Sequence, residues 1–318
     1  MKLRKLLAMI LSVLSLITLL IGCNQTPALP PPPSNAEPTP AEKWGVDKLI
    51  IVLLPQEDSP EMVSTRNVFD TALTEMLGIP VEEYHATSYS AGIEAMRTGH
   101  AHVASFGPFS YVSAVERSGA ECFAAAAVGG VCGYYSYLIT HVDSDIHTVD
   151  DLKGRSFGFV DPESTSGNIV PTNEIINYFE KEIPDLSFDD LHINGRFFDS
   201  VMFTGNHSNS VRGVFMQDIE AAAVSSTTLA REIANGQVEA DKIRIIHSSP
   251  LIPNGPWAIK DTMNQALKDA LAEFFIGWDD PAFFQTRYPN APATRFEPIN
   301  DATYDYIREL RDRFQLSD

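Results

Sequence analysis

Basic residues are scarce in this sequence, which has 23 Lys and Arg against 42 Asp and Glu in 318 residues. The formal net charge of −19 at pH 7 would repel the phosphates of a nucleic acid, which argues against nucleic-acid binding. An anionic ligand would also have to be held by local donors and dipoles, because the overall field of the protein repels it.

Recognisable catalytic motifs are missing as well. The sequence has no Gly-x-Ser-x-Gly elbow, no His-Glu-x-x-His and no phosphate-binding loop. Ser166 and His207 could suggest hydrolysis, but no third triad member is evident. His100 and His102 form a His-x-His pair without an obvious third or fourth metal ligand. We therefore expect a binding protein without metal or cofactor, not an enzyme.

Long apolar runs are also few, and the longest covers residues 6–21 at the N-terminus. It is short for a membrane-spanning helix, which needs about 20 residues. Three basic residues precede it, and a glycine followed by Cys23 comes after it. These are the parts of an export signal, and the glycine–cysteine pair resembles a bacterial lipobox. We expect residues 1–22 to be removed and Cys23 to carry lipid. A plain signal peptide or a single membrane anchor is the alternative.

Residues 23–43 are dominated by proline, which favours an extended chain that cannot bury a core. We expect them to tether a folded part, beginning at residue 44, to a membrane surface. The folded part is long enough for two lobes. Besides Cys23 the chain has only Cys122 and Cys132, which could form a disulfide in an exported protein. Two free thiols are the alternative.

The folded part alternates strand and helix patterns. Residues 48–54 form a continuous apolar run, which is typical of a parallel strand buried on both faces. Residues 60–77 have helical spacing, and Gly78 stops them. Further strand patterns, each followed by a helix pattern, occur along the chain. We therefore predict an α/β fold whose first sheet is mainly parallel.

Hydroxyl residues are concentrated in one turn, which we call the Ser-Thr-Ser turn (Ser164, Thr165 and Ser166). It lies between a predicted strand at residues 155–160 and a predicted helix at 169–182. At such a junction free backbone N–H groups and the positive end of the helix dipole form an anion site. The hydroxyls add further donors. The alternative is an ordinary N-cap without a ligand.

Taken together, several short motifs resemble the solute-binding proteins of bacterial ABC importers that take up phosphonates, phosphite or phosphate. The motifs lie at residues 89–97, 133–136, 161–167, 205–207 and 249–253. The resemblance spans most of residues 47–280 and, with the lipobox, indicates a substrate-binding lipoprotein.

This resemblance implies a two-lobed α/β fold of the periplasmic-binding-protein type II class, with the ligand cleft between the lobes. Lobe one would comprise residues 44–140 and 249–318, and lobe two residues 141–248. The lobes would close around the ligand, and a permease and an ATPase would be the partners. A sensor that presents its ligand to a membrane receptor, or an enzyme that processes phosphonates or phosphoesters, is the alternative.

The resemblance also implies the roles of the site residues. The Ser-Thr-Ser turn and His207 would hold the phosphorus-bound oxygens, while Tyr89 and Tyr134 would close from lobe one and exclude water. The chemistry agrees, because a buried anion is tolerable only when donors meet its lone pairs. Each residue has an ordinary alternative: a surface tyrosine at 89, a core tyrosine at 134 and a solvated histidine at 207.

Relatives that bind an aminoalkyl phosphonate pair its ammonium with acidic residues in two places. The resemblance puts those places at residues 226–228 and 254–255, which are Ser-Thr-Thr and Asn-Gly here. A buried ammonium without a counter-charge is costly. We therefore expect phosphate, phosphite, methylphosphonate or a similar amine-free ligand, and not 2-aminoethylphosphonate.

Overall fold

The computed structural model describes residues 37–56, 58–128, 133–289 and 293–316. The chain divides into two compact units, residues 1–38 and 39–318. The predicted signal segment, Cys23 and most of the predicted tether lie outside the described residues. In the described ranges, none of the helices combines the length and the apolar character that a membrane crossing requires.

Helices and strands alternate along most of the unit that begins at Thr39. The strands are β1 (Leu49–Leu53), β2 (Val81–His85), β3 (Val103–Ser105), β4 (Ala120–Val128), β5 (Gly133–Tyr134), β6 (Ser136–His141), β7 (Ser156–Phe159), β8 (Ser200–Phe203), β9 (Ala221–Ser225), β10 (Ile243–Ser248), β11 (Ile252–Pro253), β12 (Pro256–Lys260) and β13 (Ala293–Pro298). The helices are α1 (Pro40–Trp44), α2 (Pro60–Leu77), α3 (Tyr89–Arg97), α4 (Pro108–Ser118), α5 (Val170–Phe179), α6 (Phe188–His192), α7 (His207–Phe215), α8 (Ser226–Ala234), α9 (Gln265–Gly277), α10 (Pro281–Arg287) and α11 (Asp305–Arg313).

The first sheet has six strands in the order β13-β4-β12-β3-β1-β2. Strand β1 is parallel to β2 and β3, whereas β12 and β13 pair antiparallel to their neighbours. The prediction of a mainly parallel sheet is therefore wrong for this sheet. The cause is long-range, because β12 and β13 come from the C-terminal part of the chain and enter the sheet in the opposite direction.

The second sheet has five strands in the order β10-β6-β9-β7-β8 and is also mixed. Strand β5 precedes β6 and pairs antiparallel with β11, which follows β10. The chain thus enters and leaves the region of the second sheet beside this two-stranded ribbon. The mixed α/β fold confirms the predicted class, while the lobe boundaries at residues 140 and 249 stay predictions.

Each sheet packs on its own aromatic core. Phe69 of α2 contacts Trp257 and Phe275 beside the first sheet, with ring centroids 6.3 and 5.0 Å apart. Phe157 and Phe198 stack at 4.4 Å beside the second sheet. Burial of such rings is worth about 1.5–3 kcal/mol for each side chain, so both sheets are rigid supports for the loops at their edges.

Helix α1 begins four residues earlier than the predicted start of the folded part. Thr39 and Glu42 form a capping box, and Gly45 ends the helix in the left-handed conformation. Trp44 is buried and donates from Nε1 to the carbonyl of Leu77 at 2.6 Å. The end of the predicted tether is therefore a short helix fixed to the folded unit.

The predicted disulfide falls partly on residues that the structure does not describe. Cys122 lies in β4 as a half-buried free thiol, with its Sγ 3.9 Å from the carbonyl oxygen of Ile299. Burial raises the pKa of this thiol. Cys132 lies outside the described residues, so its pairing with Cys122 stays a prediction.

Candidate ligand-binding site

The Ser-Thr-Ser turn follows β7 and is closed by its own backbone. Val160 donates its N–H to the carbonyl of Gly167 at 3.0 Å, and the Oγ of Ser164 accepts from the N–H of Gly167 at 3.1 Å. A Cβ on Gly167 would lie 2.3 Å from Cγ2 of Val160, so a side chain cannot fit there. Ser164 is therefore an N-cap, as the alternative interpretation of this turn predicted. Glycine is required at position 167 for the tight turn.

Two backbone donors of this turn remain available. Thr165 and Ser166 are only 2% and 1% exposed, and neither N–H is hydrogen-bonded to another described residue. They begin a π-helical turn, Thr165–Ile169, that leads into α5. Such unpaired N–H groups at a helix N-terminus are the usual donors of an anion site.

The hydroxyls of the turn are oriented by neighbouring elements. Oγ1 of Thr165 accepts the N–H of Phe109, from the first turn of α4, at 2.7 Å. Because its acceptor role is filled, the hydroxyl proton of Thr165 is free to donate. Ser136 donates to the carbonyl of Ser166 at 2.7 Å and fixes the backbone beneath the Ser166 hydroxyl.

The two predicted tyrosines meet at the turn. The side chains of Ser166 and Thr165 lie near enough to Tyr134 to oppose a rise in its pKa, and Ser164 does the same for Tyr89. Burial outweighs this and raises the pKa of Tyr134 to about 12. Burial, and then the charge of Asp161, raise the pKa of Tyr89. Both hydroxyls are therefore protonated donors at neutral pH.

His207 begins α7, and its ring is oriented by a backbone amide. Its Nδ1 accepts the N–H of Ser225 at 3.1 Å, which places the proton of the neutral ring on Nε2. That Nε2 lies 3.5 Å from the Oγ of Ser166. Burial, and then the charge of Arg231, lower the pKa of His207 to about 3. The side chain is thus a neutral donor aimed at the turn.

These residues border a cavity of about 220 Å³ that elements beside both sheets enclose. Tyr89, Tyr134 and His207 line it, together with the first residues of α4 and α8. The residues of the Ser-Thr-Ser turn are not among the lining residues, and their side chains are almost fully buried. We call Tyr89, Tyr134, Thr165, Ser166 and His207 the donor cluster.

Two arginines line the same cavity, and the sequence reasoning missed both. Arg231 of α8 is 7% exposed, and its Nε has no hydrogen-bond partner. Its Nη2 donates a long hydrogen bond of 3.4 Å to Oγ1 of Thr228, and no described carboxylate lies within ion-pair distance. Burial lowers the pKa of Arg231. A charged group therefore lines the cavity in addition to the neutral donors that the sequence analysis named.

Arg287 ends α10 and stacks on the ring of Phe283 at 4.0 Å. Its Nη1 is buried without a hydrogen-bond partner, and among the described residues no carboxylate forms an ion pair with it. Burial lowers the pKa of Arg287 to about 10, so the group is charged at neutral pH. We call Arg231 and Arg287 the arginine pair.

The two places expected to lack a counter-charge for an amine do face the cavity. Thr227, Thr228, Asn254 and Gly255 line it, and no Asp or Glu is among the described lining residues. A Cβ on Gly255 would lie 2.0 Å from the carbonyl oxygen of Phe106, so the backbone itself forms this part of the wall.

One signal in the sequence could have indicated Arg231. The resemblance already placed residues 226–228 at the ligand, and Arg231 lies three residues after Thr228, on the same face of α8. Arg287 gave no such signal, since it lies beyond the region of resemblance and its helix was not predicted. The His-x-His pair is used locally: Nδ1 of His102 accepts the N–H of Ile50 at 3.0 Å, and His100 contacts Thr98 at 2.8 Å. The described residues contain no cluster of three or more potential metal ligands.

A mixed α/β fold with a donor-lined cavity beside a strand-to-helix turn is compatible with the class of solute-binding proteins. Residues 51–304 match the family described as ABC transporter, phosphonate, periplasmic substrate-binding protein. The chain belongs to this family, which confirms the predicted resemblance. The family consists of transporter binding proteins, so the expectation that the chain is not an enzyme is also confirmed.

Curated relatives and solved structures agree with this assignment. The chain is 27% identical over 281 residues to the phosphate-import protein PhnD of Mycolicibacterium smegmatis, covering 84% of this chain and 85% of that protein. It is 28% identical over 207 residues to the phosphonates-binding periplasmic protein of Escherichia coli, covering 64% of this chain and 57% of that protein.

Two solved structures share the fold. A binding protein component of a Pseudomonas aeruginosa ABC phosphonate transporter has a TM-score of 0.72 at 24% identity, with 84% of this chain and 86% of that chain covered. PhnD1 of Prochlorococcus marinus, solved in complex with methylphosphonate, has a TM-score of 0.70 at 17% identity, with 85% and 98% covered. The predicted fold is confirmed by these likenesses.

Proposed function

We propose that this chain is the lipid-anchored solute-binding protein of an ABC importer and that it captures a small phosphorus oxyanion for delivery to a permease. The single observation that carries this proposal is the convergence of neutral donors on the Ser-Thr-Ser turn. Unpaired N–H groups, hydroxyls and the Nε2–H of His207 meet there. Such donors can meet the lone pairs of a tetrahedral anion.

The ligand enters by separation of the two sheets and is enclosed when they approach again. In the described arrangement Tyr89 and Tyr134 line the cavity while the residues of the turn are buried, so an anion can reach the turn only if surrounding side chains move away. The β5–β11 ribbon is the natural hinge, since the chain passes between the two sheets beside it. Closure then removes water and strengthens every hydrogen bond to the anion.

The ligand is a phosphonate, phosphite or phosphate without an amine. Two guanidinium groups face the cavity, and no described lining residue is acidic, so an ammonium would meet repulsion. The names of the relatives point to the same chemistry, because one imports phosphate and another was solved with methylphosphonate.

Titration calorimetry on the full-length chain in detergent tests the proposal. Phosphate, phosphite, methylphosphonate and 2-aminoethylphosphonate are titrated separately, with sulfate as the control anion. We expect heat from at least one of the first three and none from 2-aminoethylphosphonate. Binding of the aminophosphonate alone would refute the ligand class. No binding heat from any of the four phosphorus ligands would refute the function.

The lipid anchor has its own test. Growth of the producing cells with a labelled fatty acid should label the full-length chain, whereas Cys23→Ser should remove the label because the modified thiol is gone. Labelling that persists in Cys23→Ser would show that lipid is attached elsewhere or that the apolar segment itself is the anchor.

A further inference from the structure

The arginine pair is not needed to hold a single phosphoryl group. The three oxygens of a phosphonate offer about six lone-pair sites. The donor cluster already supplies a comparable number of donors, namely two N–H groups, the hydroxyls of four residues and the Nε2–H of one histidine. Two further guanidinium groups would have no acceptor left on such a ligand.

A buried arginine without a partner also has a cost. Removing an ion from water costs several kcal/mol unless hydrogen bonds and an opposite charge compensate it. Arg231 is 7% exposed and its Nε is unpaired. The charges of Glu232 and Asp58 favour its charged form, but neither carboxylate forms an ion pair with it. Elsewhere in the fold a similar residue is treated differently, since buried Arg66 has ion pairs with Asp58 and Glu83.

The positions of the two arginines suggest an elongated ligand. Arg231 lies on α8, which begins directly after Ser225, the residue whose N–H donates to His207 of the donor cluster. Arg287 ends α10, whose Thr286 contacts Thr65 of α2 at 3.2 Å. The cavity of about 220 Å³ has room for roughly seven water-sized groups, more than the five non-hydrogen atoms of methylphosphonate occupy.

We propose that the ligand carries a second anionic group, a carboxylate, which the arginine pair binds while the donor cluster holds the phosphonyl group. The inference rests on the proposed function and narrows its substrate class to phosphonocarboxylates. Guanidinium suits this role because its planar fork can donate two parallel hydrogen bonds to one carboxylate.

Calorimetry on the full-length chain with phosphonoacetate and methylphosphonate tests the inference. Wild-type protein should bind phosphonoacetate at least tenfold more tightly, because only phosphonoacetate reaches the arginine pair. Arg231→Met should reduce the affinity for phosphonoacetate by a factor at least tenfold larger than the factor for methylphosphonate. The matched control is Arg196→Met, since Arg196 is exposed and paired with Asp190 outside the cavity, and it should change neither affinity.

Other outcomes separate the inference from the function. Equal or tighter binding of methylphosphonate by the wild type, or an equal loss of both ligands in Arg231→Met, would overturn the inference and leave the function intact. Binding of neither ligand, nor of phosphate or phosphite, would overturn the function itself. Acetate is titrated as well, and affinity for it comparable to that for phosphonoacetate would overturn both. If Arg231→Met does not fold, the less buried Arg287 is replaced by Met and the same comparison is made.

Discussion

The donor cluster and the arginine pair border one cavity but differ in how the protein holds them. In the donor cluster, the backbone N–H groups of Phe109 and Ser225 donate to the side chains of Thr165 and His207. The hydroxyl of Ser136 donates to the carbonyl of Ser166. In the arginine pair, one nitrogen of each guanidinium is left without a partner. Under our proposals, the donor cluster is a preorganised and neutral receptor, whereas the arginine pair keeps donors open for a ligand.

The strongest test of this difference removes a member of the donor cluster. His207→Ala should weaken the binding of every phosphorus ligand by about 2 kcal/mol, or roughly 30-fold in affinity, because a buried anion loses a donor. Arg231→Met, by contrast, should discriminate between ligands. Calorimetry with methylphosphonate and phosphonoacetate measures both.

The control for this variant is His147→Ala, since His147 is exposed and distant in the chain from the turn. It should leave the affinities unchanged. If His207→Ala binds methylphosphonate as the wild type does, the histidine is not part of the receptor.

The stability of the protein should also depend on the tight turn that carries Thr165 and Ser166 of the donor cluster. Gly167→Ala should lower the free energy of unfolding by about 1–3 kcal/mol, because the new Cβ would lie 2.3 Å from Val160. Gly277→Ala is the matched control, as an added Cβ there meets nothing within 4 Å. Thermal unfolding measures the two. A Gly167→Ala protein as stable as the wild type would mean that the turn can relax.

The neutral state of His207 gives the donor cluster a pH dependence of known sign. Its folded pKa of about 3 lies below the ordinary histidine pKa of 6.5, so in acid the unfolded chain binds a proton that the folded chain does not. Stability is therefore complete above pH 6.5 and is lost as the pH falls. We expect a loss of about 1–2 kcal/mol from this residue between pH 7 and pH 5.

Denaturant unfolding of the wild type and of His207→Gln at both pH values measures that loss. Glutamine can also accept the N–H of Ser225 but does not titrate, so the variant should lose less stability on acidification. Identical pH dependence in the two proteins would contradict a buried neutral histidine.

The smallest expected effect concerns the tyrosine hydroxyls, which the cavity and the turn share. Tyr134→Phe should weaken the binding of methylphosphonate by about 1 kcal/mol, the usual contribution of one hydrogen bond. Because the pKa of Tyr134 is about 12, the difference between variant and wild type should be constant from pH 6 to pH 9. Exposed Tyr135, changed to Phe, is the control. Equal affinities for Tyr134→Phe and wild type would assign Tyr134 to packing alone.

Local sequence patterns predicted most of the elements, and the exceptions have a common cause. Helix α2 has the predicted bounds, and β1 is one residue shorter at each end than the predicted run of residues 48–54. Strand β13, helix α10 and the antiparallel direction of β12 were not predicted. Their place is set by pairing with distant strands, and periodicity along the chain carries no information about a distant partner.

For the site, the sequence by itself determined the Ser-Thr-Ser turn, since a glycine, three hydroxyls and a strand-to-helix junction are all local properties. The membership of the family follows from motifs in their order along the chain. Only the tertiary structure decided that Arg231 and Arg287 face the same cavity and that no described carboxylate pairs with either. Whether a charge is neutralised depends on what the fold brings within a few ångströms of it, and sequence spacing does not state that distance.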